Sequence, residues 1–170
     1  MQQFFGKYRG KVTVDRDPLN LGRVQVNVAS VFEEGKQSWA MPCTPYAGKG
    51  IGLFTIPPVG SNVWVEFEGG DPDYPIWSGC FWGNGELPDE AKAQSREETI
   101  VFKAFASGGK GITITMSAKG MTIEADPLGA KQPLKLVFNS SGIEISAGAF
   151  GTIKAAPTSV KINDTALEVT

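Results

Sequence analysis

Apolar and polar residues alternate strictly along Arg23-Val24-Gln25-Val26-Asn27-Val28, as a strand with one buried face requires. Val63-Trp64-Val65-Glu66-Phe67-Glu68 alternates again. Residues 10–15, 39–43, 52–56 and 76–82 read as further short strands, separated by turns such as Asp17-Pro18-Leu19-Asn20. No helical period competes with this reading. Five or six short strands in about 80 residues predict a small closed or partly open barrel, for which the OB-fold is the commonest plan.

After residue 99 the aromatics thin out and a repeat begins. Gly111-Ile112-Thr113-Ile114 is answered nine residues on by Gly120-Met121-Thr122-Ile123, and Gly142-Ile143-Glu144-Ile145 nine residues on by Gly151-Thr152-Ile153. Leu134-Lys135-Leu136-Val137-Phe138-Asn139 lies between them, and Val160-Lys161-Ile162 and Leu167-Glu168-Val169 follow. Each unit is a glycine turn leading into a strand with one apolar face. Repeats this short cannot each bury a core, so they stack on their neighbours. The expected organisation is a barrel over residues 1–84, a polar linker over 85–98 and a repetitive β-stalk over 99–170.

A single ribbon of such strands has one oily face and two open edges, and would aggregate. Closing several chains around a shared axis buries that face. A trimeric intertwined β-helix or β-prism is the simplest closed solution, although the repeat specifies stacking and not the number of chains. The expected trimer core is Ile112, Ile114, Met121, Ile123, Leu136, Phe138, Ile143, Ile145 and Ile153. Leu167, Val169 and Thr170 would end the stalk as a small apolar plateau that contacts a tip protein.

Charge and composition narrow the functions. The chain has 170 residues, a formal net charge of −2 and no histidine. Neutralising a phosphate backbone needs an excess of Lys and Arg, so no nucleic-acid partner is expected. Without histidine there is no Ser-His-Asp or Cys-His arrangement and no His-based metal site. There is no apolar run of signal-peptide length at the start, and none approaches the ~20 residues that span a bilayer, so assembly in a cytoplasm is expected. Cys43 and Cys80 sit in apolar strand-like stretches and read as free, buried thiols; a bridge between them is geometrically possible but unsupported.

The first half resembles the phage baseplate assembly protein V family and the corresponding barrel of valine-glycine repeat (VgrG) spikes. The resemblance is carried by residues 5–12, by Asp17-Pro18-Leu19-Asn20-Leu21-Gly22-Arg23-Val24-Gln25-Val26, by Ser38-Trp39-Ala40-Met41-Pro42-Cys43, by residues 56–71 and by Pro75-Ile76-Trp77-Ser78-Gly79-Cys80-Phe81-Trp82-Gly83. It implies a homotrimeric central spike of a contractile tail or injection system. In that setting the barrels meet a baseplate hub protein, and the stalk points at a target envelope that it touches only transiently. Some relatives carry a lysozyme domain between barrel and stalk, where only the short linker stands here. Others end in an iron tip held by His-x-His pairs, which this chain lacks. A separate PAAR-like tip protein is the arrangement then expected.

Sharper chemical readings have plain competitors. Ala47-Gly48-Lys49-Gly50 is followed by a β-run and lacks the Gly-Lys-Ser/Thr and helix of a phosphate loop, so it reads as a turn. Glu66 and Glu68 are expected to share the polar face of one strand, and Asp71 and Asp73 to flank Pro72 in a turn; calcium needs more oxygen ligands in one loop. Trp39, Trp64, Trp77 and Trp82 with Tyr46 read as two or three core residues plus interface residues, rather than a stacking platform. No residue is nominated as catalytic, cofactor-binding or metal-binding. The alternative function is a glycan-binding tail adhesin.

Overall fold

The computed structural model describes residues 2–92, 99–105, 110–126, 132–148, 151–164 and 166–169. The chain divides into two compact units, Met1–Glu86 and Leu87–Thr170. Nearly all of its regular structure is β.

In the first unit, β1 (Tyr8–Val14), β2 (Val24–Asn27) and β3 (Ser38–Pro42) precede a small ribbon of β4 (Ala47–Gly48) and β5 (Ile51–Gly52), and β6 (Asn62–Phe67) and β7 (Pro75–Phe81) follow. Five of these strands close a barrel in the order β1-β2-β3-β7-β6, with β3 and β7 parallel and the other pairs antiparallel. This is the five-stranded OB plan. The alternation read in the sequence sets the core: Val24 and Val26 of β2 and Val63 and Val65 of β6 are fully buried, and Val12, Ala40 and Trp77 join them. Phe67 packs against Phe4, Tyr8 and Phe32 with ring centroids 5.5–6.0 Å apart. Those tilted and edge-on contacts fill the barrel around Phe67.

The structure corrects four expectations in this unit. Residues 52–56 do not form a barrel strand; only Gly52 pairs, with Ala47, and the Leu53 N–H donates to the Tyr46 carbonyl. Pro57 and Pro58, which have no N–H to offer a ladder, follow it, and the segment stands as an arm beside the barrel. Glu66 and Glu68 do not share a face, because the chain leaves β6 after Phe67 and Glu68 opens a single 3-10 turn. Cys43 and Cys80 are free, as expected, but exposed; Cys43 follows the end of β3, and Cys80 lies on the outward side of β7. Of the four tryptophans only Trp77 belongs to the core.

The second unit starts with one helical turn, α1 (Asp89–Lys92), whose Glu90 carboxylate takes the Lys103 ammonium at 2.6 Å. Among the described residues eight strands follow: β8 (Ile100–Phe105), β9 (Gly111–Ser117), β10 (Gly120–Asp126), β11 (Leu134–Asn139), β12 (Gly142–Ala147), β13 (Thr152–Ala156), β14 (Ser159–Ile162) and β15 (Leu167–Val169). They form one antiparallel sheet in chain order from β8 to β15. Two-residue connections join β9 to β10, β11 to β12 and β13 to β14, which brings Ser117 opposite Gly120, Asn139 opposite Gly142 and Ala156 opposite Ser159. The strands shorten along the sheet, from seven residues in β9 and β10 to five in β13, four in β14 and three in β15.

Candidate functional site

The register of the long sheet gathers its apolar residues on one side. Directly paired residues point to the same face of an antiparallel sheet. One row runs Phe102, Ile114, Ile123, Leu136, Ile145, Ile153, Ile162 and Leu167, each paired with the next across neighbouring strands. A parallel row runs Ile100, Met116, Met121, Phe138, Ile143, Ala155 and Val160. Ile112 and Leu134 lie on the same face. All nine residues expected in the stalk core therefore share one surface. Leu167 lies on that surface in the terminal strand, and Val169 is in backbone register with Val160; Thr170 falls outside the described residues.

The opposite face is polar. Thr113, Glu124, Lys135, Ser146 and Thr152 form one row, and Thr115, Thr122, Val137, Glu144, Lys154 and Lys161 another. Charges on it pair locally, Lys135 with Glu124 at 2.7 Å and Lys154 with Asp164 at 2.9 Å. The hydrogen bond from Lys154 holds the Asp164 carboxyl below its ordinary range, and the same contact raises Lys154.

Burial within a single chain is inverted with respect to this chemistry. In β12, β13 and β14 the isoleucines and Val160 are exposed, while Glu144, Ser146, Lys154 and Lys161 are half-buried. Ten large apolar side chains on the oily face, from Ile100 to Leu167, are between 37% and 60% exposed. Fully burying a side chain of this kind contributes about 1.5–3 kcal/mol. Half-exposure of ten forgoes on the order of 10 kcal/mol, comparable with the whole stability of a domain. Monomeric proteins rarely leave a contiguous apolar surface of this size open.

Several members of this face were not singled out from sequence, among them Phe102, Met116 and Val160. Their signal was parity. Phe102 is hidden in the continuous apolar run Ile100-Val101-Phe102, where alternation alone cannot assign a face.

The barrel offers no assembled chemical site of the kinds considered. Trp39 lies under the Arg23 guanidinium at 5.1 Å, and Trp64 packs on Phe81 at 4.7 Å with Arg9 stacked above it. Trp77 points its indole N–H at the Gly22 carbonyl from within the core. Trp82 and Tyr46 are exposed, whereas Trp77 is buried and offers no face for stacking. The Ser78 hydroxyl, followed by Lys7, holds the Glu66 carboxyl below its usual range. Asp71 caps its own turn by accepting the Asp73 N–H. Desolvation pushes the Cys80 thiol up, away from the thiolate that nucleophilic chemistry needs. Among the described residues no three His, Cys, Asp or Glu side chains gather in a way that would hold a metal.

Residues 8–82 match the family described as the type VI secretion system/phage-baseplate injector OB domain, and residues 93–168 match the phage baseplate V C-terminal trimerisation domain. The chain belongs to the baseplate V/VgrG-like spike family. The type VI secretion system spike protein VgrG4b of Pseudomonas aeruginosa is 35% identical over 80 residues, which cover 46% of this chain and 10% of that protein. VgrG1c of the same organism, also a type VI secretion system spike protein, is 30% identical over 89 residues, 52% of this chain and 11% of the relative. The chain thus spans about a tenth of the length of these curated relatives. Within this family the chain carries the OB barrel and the trimerisation domain, and the uncovered apolar face lies in the latter.

Proposed function

We propose that three copies of the chain stand together as the central spike of a contractile tail or injection device, with their apolar sheet faces turned inward. The observation that carries this reading is the inverted burial of the long sheet. A face with Ile114, Ile123, Leu136, Ile145 and Ile153 in register, half-buried at the first three and exposed at Ile145 and Ile153 in one chain, needs a cover of the same chemistry and length. Two further copies supply it. The shortening of the strands toward β15 would narrow such an assembly toward the chain's C-terminal end, as an object driven through an envelope requires.

In this reading the barrels seat on a baseplate hub protein, and Leu167, Val169 and Thr170 contact a separate PAAR-like tip protein. The spike assembles in the cytoplasm and then becomes part of the particle baseplate. Its contact with the target envelope is transient, and its role is mechanical rather than enzymatic.

Native mass spectrometry of the full chain tests the core claim: a trimer is expected, and monomer alone defeats it. Removal of residues 151–170 should release the tip partner from assembled particles, and its retention would refute the tip assignment. Zymography on peptidoglycan should give no cleared zone.

A further inference from the structure

The barrel carries a second uncovered apolar surface, separate from the sheet. The arm of residues 44–56 extends from it around the β4–β5 ribbon, and Tyr46, Ile51, Leu53 and Phe54 on it are between 53% and 77% exposed. Arm and barrel enclose a groove of about 820 Å³, whose barrel side includes Leu21, Pro42, Trp77 and both cysteines. Residues 43–58 contain one charge, Lys49. The two limbs of the arm are tied to each other near its base, where the Thr44 hydroxyl donates to the Leu53 carbonyl at 3.0 Å.

We propose that this arm and its groove form the contact by which neighbouring barrels of the trimer hold one another. The inference rests on the trimeric reading above. The arm is one wall of the groove and still leaves Tyr46, Ile51, Leu53 and Phe54 exposed; an arm laid into a neighbour's groove makes a heterologous contact, and such contacts close into rings when the rotation fits. The trimerisation domain of the same chain supplies the three copies. The thirteen residues between Glu86 and Ile100 include the α1 turn anchored on β8, so the tether is shorter than the ~45 Å of a fully extended segment of that size. Tethering at that length gives an effective concentration on the order of millimolar, so even a modest apolar contact is occupied. The near absence of charge also matches a permanent contact between identical chains better than a transient one with a foreign surface.

The test uses the full chain and its own thiols. Cys43 and Cys80 line the groove, so docking of a neighbouring arm covers them. In the wild-type trimer a bulky polyethylene-glycol maleimide should label them roughly tenfold or more slowly than in an I51S/L53S variant that remains trimeric by native mass spectrometry. A second variant, Lys49→Cys, should give covalent dimers and trimers with a short bismaleimide. A trimer whose thiols label equally fast with and without the arm changes, or whose Lys49→Cys variant yields only single-chain bands, overturns the inference and leaves the trimer standing; the arm then belongs to another component of the particle. Monomer alone in the mass spectrum defeats both.

Discussion

The carboxylate of Asp17 and the guanidinium of Arg23 meet at 2.7 Å across a turn, with the Asp17 side chain only 4% exposed. Asp17 also accepts the backbone N–H groups of Leu19, Leu21 and Arg23, so one carboxylate organises the whole turn between β1 and β2. Arg23 in turn lies over the Trp39 ring, which joins the turn to β3. The hydrogen bonds from Arg23, then those from the three backbone groups, hold the Asp17 carboxyl far below its ordinary range.

A pH dependence follows from that direction. A carboxyl depressed in the folded state contributes stability that is fully present above its unfolded value, about 3.9, and is lost as pH falls through the folded value. Asp17→Asn should therefore lower the urea midpoint of the barrel at pH 7, and the gap to wild type should shrink below pH ~4. Other depressed carboxyls, such as Glu66, add to acid sensitivity in both proteins, so the difference between them is what reports on Asp17. Equal gaps at neutral and acid pH would remove the assigned role. Arg23→Lys keeps the charge but loses the fork and the stacking on Trp39, and should not restore the turn.

Ile145 and Ile153 face each other across β12 and β13 and are 48% and 44% exposed in one chain. If three copies bury them, Ile145→Ala should cost the assembly about 2–5 kcal/mol per chain, the range for a large-to-small change in a core. Ile145→Asp should prevent the trimer altogether. Thr122→Ala on the opposite face should stay within about 0.5 kcal/mol. Thermal melts and native mass spectrometry of the three variants read this out. Similar small losses on both faces would mean that the apolar face is not the interior.

The barrel strands were legible because alternation in residues 23–28 and 63–68 maps directly onto buried Val24, Val26, Val63 and Val65. The arm was not. Leu53-Phe54-Thr55-Ile56 has strand-like composition, but composition cannot reveal whether a strand edge is at hand to pair with it, and only the preceding Gly52 finds a partner. Cys43 and Cys80 misled for a related reason: an apolar neighbourhood in sequence says nothing about whether a residue falls past a strand's end, as Cys43 does, or on the outward side of β7, as Cys80 does. In the long sheet, glycine spacing gave the strands and their oily positions. The continuous apolar start of β8 concealed its parity, and the taper from β9 to β15 emerges only once each strand has found its partners.

The helical turn α1 has four residues and no helix stability of its own. Its anchor is Glu90 on Lys103 of β8, a pair 21–31% exposed, and the bond from Lys103 holds the Glu90 carboxyl below its usual range. Solvent screening limits such a pair to about 1 kcal/mol or less. Glu90→Gln should thus leave global stability and trimer formation almost unchanged, yet speed hydrogen exchange over residues 89–92. Unchanged exchange there would show that something other than Lys103 holds the turn.

Gly120 and Gly142 open the second strand of two successive hairpins with φ of 131° and 125°, a region that side chains rarely enter. Space forbids a side chain as firmly as the torsion does. A Cβ at Gly120 would run into the Phe138 carbonyl oxygen, and one at Gly142 into that of Ala155, both backbone atoms of the adjoining strand. Neither oxygen can withdraw without breaking the ladder that aligns the apolar rows. Gly120→Ala and Gly142→Ala should each cost about 2–4 kcal/mol, well above an ordinary surface change. Because the strand beyond each glycine carries Met121 and Ile123, or Ile143 and Ile145, a displaced start also moves those residues out of register. The expected result is a lower melting temperature together with loss of trimer. A variant that loses stability but keeps a full trimer would show that the face tolerates slippage, contrary to a register fixed at these two turns.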